Sequence, residues 1–276
     1  MAVEEKLKEI LLPSHEIGID VNHVGSCVLL AVREENSIVV ANAGDCRAVL
    51  GRVDASVGEE EIIEVGGKGV MFPFFNGFPS NSTPFSYPAN VIFNAIQITN
   101  DHNSKMAVEK ERLAREHPNE ENIVVCKRPD SCYVKGRLQP TRAIGDLYLK
   151  FDEFNALPPD EHHLKTRGRH IPAPYTPPYV MTRPEVHSLT LQPKRDAFLI
   201  LATDGVWDFL SCQEAVDAVG EAIKEGKGGE ASKRVVLATL KKAALEADIS
   251  LQELTELPKH TRRKIFDDTT ATVLFL

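Results

Sequence analysis

A mixed α+β fold is what the sequence predicts, and two observations predict it. Two β-patterned runs, 26–32 (SCVLLAV) and 37–43 (SIVVANA), flank a charged turn at 33–36, the pattern of an antiparallel hairpin. Late in the chain two helical runs, 212–224 and 230–247, follow one another, split by the glycine-rich breaker 226–229.

The elements follow in order. Val3, Leu7, Ile10 and Leu11 recur at helical spacing with charges between them, so 3–12 is predicted as an amphipathic helix. After the hairpin, Asn42-Ala43-Gly44-Asp45 turns the chain into a strand over 46–50, which leaves Asp45 at a strand junction. Residues 53–90 read as a long loop insertion, Gly- and Glu-rich and then crowded with Pro, Asn, Ser and Phe (FPFFNGFPSNSTPFSYP). Its aromatic content suits a flap packed on the body, or a patch for a protein partner. Residues 90–99 return to strand pattern, and 106–117 is a charged helix ended by Pro118. The stretch 151–180 is Pro-rich and irregular; His162, His163 and His170 in it match no ligand spacing on a regular element, so they read as residues of a solvated loop. Strands are predicted at 184–191, 197–203 and 269–276. The whole, 1–276, is expected to form a single domain carrying the two loops 53–90 and 151–180.

Composition narrows the function. With 42% hydrophobic and 26% charged residues, the chain of 276 is ordinary for a soluble globular protein. Its formal net charge of −8 argues against non-specific nucleic-acid binding, which draws on a basic stripe. No apolar run reaches the roughly 20 residues that cross a bilayer, so no membrane partner is expected. The first residues are acidic and lack the order of a signal or transit peptide, giving an expectation of an intracellular protein, cytoplasmic or mitochondrial. Cys27, Cys46, Cys126, Cys132 and Cys212 make an odd number, which fits a reducing compartment. Cys126 and Cys132 have no second Cys or His pair at finger spacing, which argues against zinc.

The most informative stretch is 198–211, FLILATDGVWDFLS, where an apolar run ends abruptly in Asp204-Gly205. Asp-Gly is a common turn pair, but a carboxylate at the end of a buried strand also needs a partner. Acidic residues stand at other strand ends too: Asp45, Asp146, Asp267 and Asp268. Carboxylates scattered at the rims of sheets suit Mg²⁺ or Mn²⁺, which take oxygen ligands and keep several waters. Two such ions can activate a water for in-line attack on a phosphoryl group. No Cys, Ser-His or Gly-rich constellation offers a rival nucleophile.

Six ordered motifs then carry a resemblance: VANAGDCRAVLG (40–51), ITNDHN (98–103), LQPTRAIGDLYLK (138–150), RPEV (183–186), FLILATDGVWDFLSCQEAV (198–216) and DDTTATVLFL (267–276). In this order they resemble the metal-dependent protein phosphatases, the PPM or type 2C serine/threonine phosphatases. NDHNSKMAVEKERLAREHP and PYTPPYVMTRPEV look most like the pyruvate dehydrogenase phosphatase branch. The resemblance implies an α-β-β-α sandwich of two antiparallel sheets flanked by helices, and hydrolysis of phosphoserine or phosphothreonine in proteins by a water bound to Mn²⁺ or Mg²⁺, two ions in the complete site. By matching motif positions it implies Asp204 and Asp267 as metal ligands and Asp45 as a ligand of an additional, weaker ion. Asp146, Asp268 and Gly205 are implied as supporting residues. Cys46 stands where the motif usually has Ser, and Asp268 where many members have Asn. The family's Asp-Gly-His-Gly motif brings the bridging Asp and a general-acid His, and a phosphate-binding Arg precedes it. No Asp-Gly-His occurs in this chain, so no catalytic residue beyond the metal ligands is implied. The expectation is therefore a domain lacking its N-terminal strands and incomplete for catalysis, with a pseudophosphatase acting as a binding or scaffold module as the alternative.

Overall fold

The computed structural model describes residues 2–16, 22–64, 85–155 and 170–276. Most of the 53–90 insertion, and His162 and His163, lie outside these. The chain divides into two compact units: Met1–Leu30, Ala41–Cys46 and Asn100–Val186 in the first, Ala31–Val40, Arg47–Thr99 and His187–Leu276 in the second. Strands β2 (Val28–Glu34), β3 (Ser37–Ala43) and β11 (Glu185–Thr190) form a sheet of order β11-β3-β2.

The first unit begins with α1 (Ala2–Glu16), longer than the helix predicted and with Pro13 inside it. Its inner face also differs from the prediction. Leu7, Leu11 and Leu12 pack on the core, while Val3 and Ile10 are exposed. The reason is Glu4, which takes an inward position because Lys150 meets it there: Nζ donates to Glu4 Oε1 at 2.6 Å, to the Ala143 carbonyl at 2.6 Å and to Thr182 Oγ1 at 3.0 Å. Next, β1 (Gly25–Ser26) pairs antiparallel with β10 (Ile144–Gly145). Helix α2 (Ala107–Glu116) buries Leu113 against Ile123, Leu147, Leu149, Phe154 and Tyr179. A hairpin that the sequence reading did not anticipate, β8 (Val124–Arg128) with β9 (Ser131–Val134), sets Cys126 directly opposite Cys132. These two are joined in a disulfide. The inference of reduced cysteines is corrected at this pair, because strand register puts residues six apart in sequence side by side. The described part of the Pro-rich stretch is pinned by buried Glu120, which accepts from Lys135 Nζ at 2.6 Å, Tyr179 Oη at 2.9 Å and Thr176 Oγ1. His170 is half-buried, its Nδ1 2.7 Å from the Asn155 carbonyl.

The second unit is built on an antiparallel sheet of order β13-β12-β4-β7: β13 (Ala271–Phe275), β12 (Asp196–Ala202), β4 (Arg47–Val53) and β7 (Phe93–Gln97). Its inner strands β12 and β4 are buried almost residue by residue, which explains their near-continuous apolar sequence. Asp196 is the polar exception in β12. Arg52 neutralises it in a two-point clamp, Nε to Oδ1 at 2.6 Å and Nη2 to Oδ2 at 3.2 Å. Helix α4 (Cys212–Lys224) lies on β7 and β4, and α5 (Ala231–Glu246) packs on α4 and β13. Ser211 caps α4 in a reciprocal box with Glu214. Short helices α3 (Asp204–Trp207), α6 (Leu251–Glu256) and α7 (Lys259–Arg262) complete this unit, with the small hairpin of β5 (Ile63–Glu64) and β6 (Phe85–Ser86). Antiparallel sheets joined to helices make the α+β class predicted. No helix among the described residues is long and apolar enough to cross a membrane.

Candidate functional site

In the second unit, β12 and β13 carry the predicted ligands to one rim. Their ladder ends at the pair Ala202↔Ala271 and continues past the strands. Thr203 N donates to the Thr270 carbonyl at 3.1 Å, Thr270 N returns a bond to Thr203 Oγ1 at 3.0 Å, and that hydroxyl donates to the Asp268 carbonyl at 3.2 Å. The turn bearing Asp204 is thus stitched to the turn bearing Asp267 and Asp268. Gly205 makes the approach possible: a Cβ there would fall 2.7 Å from the Asp268 carbonyl oxygen and 2.9 Å from Thr269 Oγ1. Asp204 opens α3 half-buried, its Oδ1 accepting the Gly205 N–H at 2.9 Å. Asp267 is exposed, and its Oδ1 accepts the Asp268 N–H at 2.7 Å. Arg263 hovers 3.9 Å from Asp267 and 4.0 Å from Asp268, whose side chain is 88% exposed.

In the first unit Asp45 is placed differently. It is buried, Oδ2 accepting from Asn103 Nδ2 at 2.8 Å and Oδ1 from the Cys27 thiol at 3.2 Å. The turn that carries it is templated by Asn42, whose Nδ2 reaches the carbonyls of Gly44 (3.0 Å), Cys46 (2.9 Å) and Asn100 (3.0 Å). His102 N donates to the Gly44 carbonyl at 3.0 Å, and Glu185 holds His102 Nε2 at 3.2 Å and Asn100 Nδ2 at 3.0 Å. Burial pushes the His102 pKa down, with Arg142 adding to it and Glu185 opposing. The Cys27 thiol is pushed up, by its hydrogen bond with Cys46 first and by burial second. Three of the motifs read from the sequence meet at this turn. Sequence reasoning found the motifs but missed Asn42, Asn103, His102 and Glu185 as its supports; their position inside the motifs was the available signal.

Asp146 sits in the same unit in a separate network. It is buried with a left-handed backbone, φ 50° and ψ 45°, and its N–H donates to the Val24 carbonyl at 2.8 Å. Burial pushes its carboxyl up to about 6, Lys150 opposing and Glu4 adding.

Among the described residues no group of three or more His, Cys, Asp or Glu side chains is arranged to hold a metal. The rim of the second unit offers two carboxylates, Asp204 and Asp267, and carbonyl and hydroxyl oxygens around them. An all-oxygen set with few protein ligands fits a hard divalent ion that keeps most of its water, and does not fit zinc.

Comparison with known proteins settles the family. A sequence model of the family "Protein phosphatase 2C" matches residues 4–59 and 92–248. The chain belongs to the protein phosphatase 2C family. Its similarity extends to Probable protein phosphatase 2C 79 of Arabidopsis thaliana, 32% identical over 275 residues, covering 100% of this chain and 60% of that protein. Probable protein phosphatase 2C 67 of the same plant is 35% identical over 253 residues, 92% of this chain and 56% of the relative. In rice, Probable protein phosphatase 2C 36 is 30% identical over 276 residues, again 60% of its length. The chain thus spans about 60% of the curated relatives it matches. A crystal structure of serine-threonine phosphatase 2C from Toxoplasma gondii superposes with a TM-score of 0.55 at 18% identity, covering 99% of this chain and 63% of that one. That likeness shows the fold.

Proposed function

We propose that this chain is the larger part of a metal-dependent protein phosphatase acting on phosphoserine and phosphothreonine in proteins. Asp204 and Asp267 hold a divalent ion, Mn²⁺ or Mg²⁺, and Asp45 serves a weaker additional one. Gly205, Asp268 and Asp146 support them. The observation that carries this reading is the stitched rim, where residues 63 apart in sequence, Asp204 and Asp267, share one strand-end junction within the matched family. A bound ion supplies Lewis-acid polarisation and neutralises charge on the phosphoryl group. The chain's own share is to keep the 203–205 and 267–270 turns in register. The segment likeness to the pyruvate dehydrogenase phosphatase branch is the finer reading of the family, with an intracellular setting, cytoplasmic or mitochondrial. The 53–90 insertion is the surface proposed for a protein partner.

Calorimetric titration with Mn²⁺ tests this. Binding by the wild-type chain that Asp204→Asn and Asp267→Asn each abolish supports it, and phosphopeptide hydrolysis by a version extended to the length of the relatives completes it. The sequence carries no Asp-Gly-His, which favours one alternative, a pseudophosphatase acting as a binding or scaffold module. An extended version that binds Mn²⁺ and hydrolyses nothing would establish that alternative.

A further inference from the structure

The phosphatase reading leaves unused two thiols that the fold brings together. Cys27 follows β1, while Cys46 stands at the position where the family motif usually has Ser, and both are free and half-buried. Cys27 lies against the Gly44–Asp45–Cys46 turn so closely that a Cβ on Gly44 would collide with its sulfur. Gly44, at φ +131°, is the residue type that lets the turn and Cys27 approach. The Cys27 thiol donates to Asp45 Oδ1 at 3.2 Å and is in hydrogen-bond contact with the Cys46 side chain. The remaining free cysteine among the described residues, Cys212, is occupied elsewhere, accepting from Arg47 Nη1 at 3.4 Å with Gln97 Oε1 at 3.6 Å.

We propose that Cys27 and Cys46 form a reversible dithiol–disulfide site, oxidised by low-molecular-weight disulfides of the glutathione type. The Cys46 sulfur attacks one sulfur of the reagent, forming a mixed disulfide and releasing one reagent thiol that carries off the Cys46 proton. Cys27 Sγ, whose proton is engaged with Asp45, attacks second. It bonds to the Cys46 sulfur and expels the second reagent thiol, which leaves with the Cys27 proton. Two protein thiols are oxidised to one disulfide, and one reagent disulfide is reduced to two thiols. The new bond removes the hydrogen bond from Cys27 to Asp45 and clamps the turn. Bond formation does not depend on the function proposed above; a consequent weakening of Mn²⁺ binding does.

The test is to incubate the purified chain with glutathione disulfide, alkylate the remaining thiols, digest without reductant and identify the peptides by mass spectrometry. The expected result is a linked pair of peptides holding Cys27 and Cys46, dissolved by dithiothreitol, with Cys212 still alkylated. In Cys46→Ser the linked pair should vanish, and in Cys212→Ser it should persist. Full alkylation of both cysteines, separate glutathione adducts on each, or linkage of either to Cys212 would overturn the proposal. Because the wild-type result decides by itself, a variant that fails to fold leaves the outcome clear. If the disulfide forms and Mn²⁺ titration is unchanged, the site stands and the role proposed for Asp45 falls.

Discussion

Asp45 and Asp267 are both acidic residues at strand ends, yet the two units treat them in opposite ways. Asp45 is buried and both its oxygens are committed to protein donors, Asn103 and Cys27. Asp267 is exposed, and its Oδ1 accepts the neighbouring residue's N–H. A committed carboxylate is oriented before any cation arrives, and the cation must compete with its existing donors. An exposed one keeps its lone pairs available and meets the cation with little loss of internal bonding. The difference teaches that the acidic residues gathered from the sequence are not equivalent: Asp45 is built into the hydrogen bonding of its turn, whereas Asp267 stands exposed on its rim.

The strongest way to break this contrast is at the buried charge of the first unit. Lys150 and Glu4 have side chains 3% and 6% exposed, so Lys150→Ala leaves an unpaired buried carboxylate. A loss of about 3–5 kcal/mol is expected, read as a lower urea midpoint. Asp146 gives a pH signature. A carboxyl raised to about 6 holds its proton more tightly in the folded state, so it contributes stability at low pH that is lost as pH rises from about 4 through about 6. Urea unfolding of wild type and Asp146→Asn across that window should show the variant gaining on wild type with rising pH, by about 2–3 kcal/mol in all. A flat difference would mean that Asp146 is ionised without cost.

Asn103→Ala should cost about 1–3 kcal/mol, since it leaves Asp45 Oδ2 buried without its donor. It should also weaken any Mn²⁺ contribution of Asp45 by misorienting the carboxylate. At the rim, Asp267→Asn should change stability by no more than about 0.5 kcal/mol in urea, while removing Mn²⁺ binding in calorimetry. A large stability loss there would erase the distinction between the two units.

Much of the second unit was legible because burial writes itself into sequence. Both helices 212–224 and 231–246, and the strand ending at Ala202, were visible as periodic or continuous apolar runs, and Asp204 stood out as the break in one. The β8–β9 hairpin was missed although VVCKRPDSCYV has β-branched residues on either side of a Pro-Asp turn; the two cysteines drew a metal-spacing argument instead of a register argument. Glu4 was hidden because helical periodicity reads charge as outward, and only Lys150, 146 residues away, reverses that. Gly205 was implied as a supporting residue, but the close approach it permits was out of reach, since what it accommodates is the Asp268 carbonyl, delivered by a strand pairing at the end of the chain.

Asn42 gives the Asp45 turn a kind of mutational freedom. One buried amide reaches three carbonyls, including those on either side of Asp45, so the path of the chain there is set from position 42. The side chain at 46 contributes none of those three bonds. It can change in character, hydroxyl to thiol, while the loop keeps its course. A lineage could therefore alter the reactivity of this corner through one residue and leave the architecture untouched.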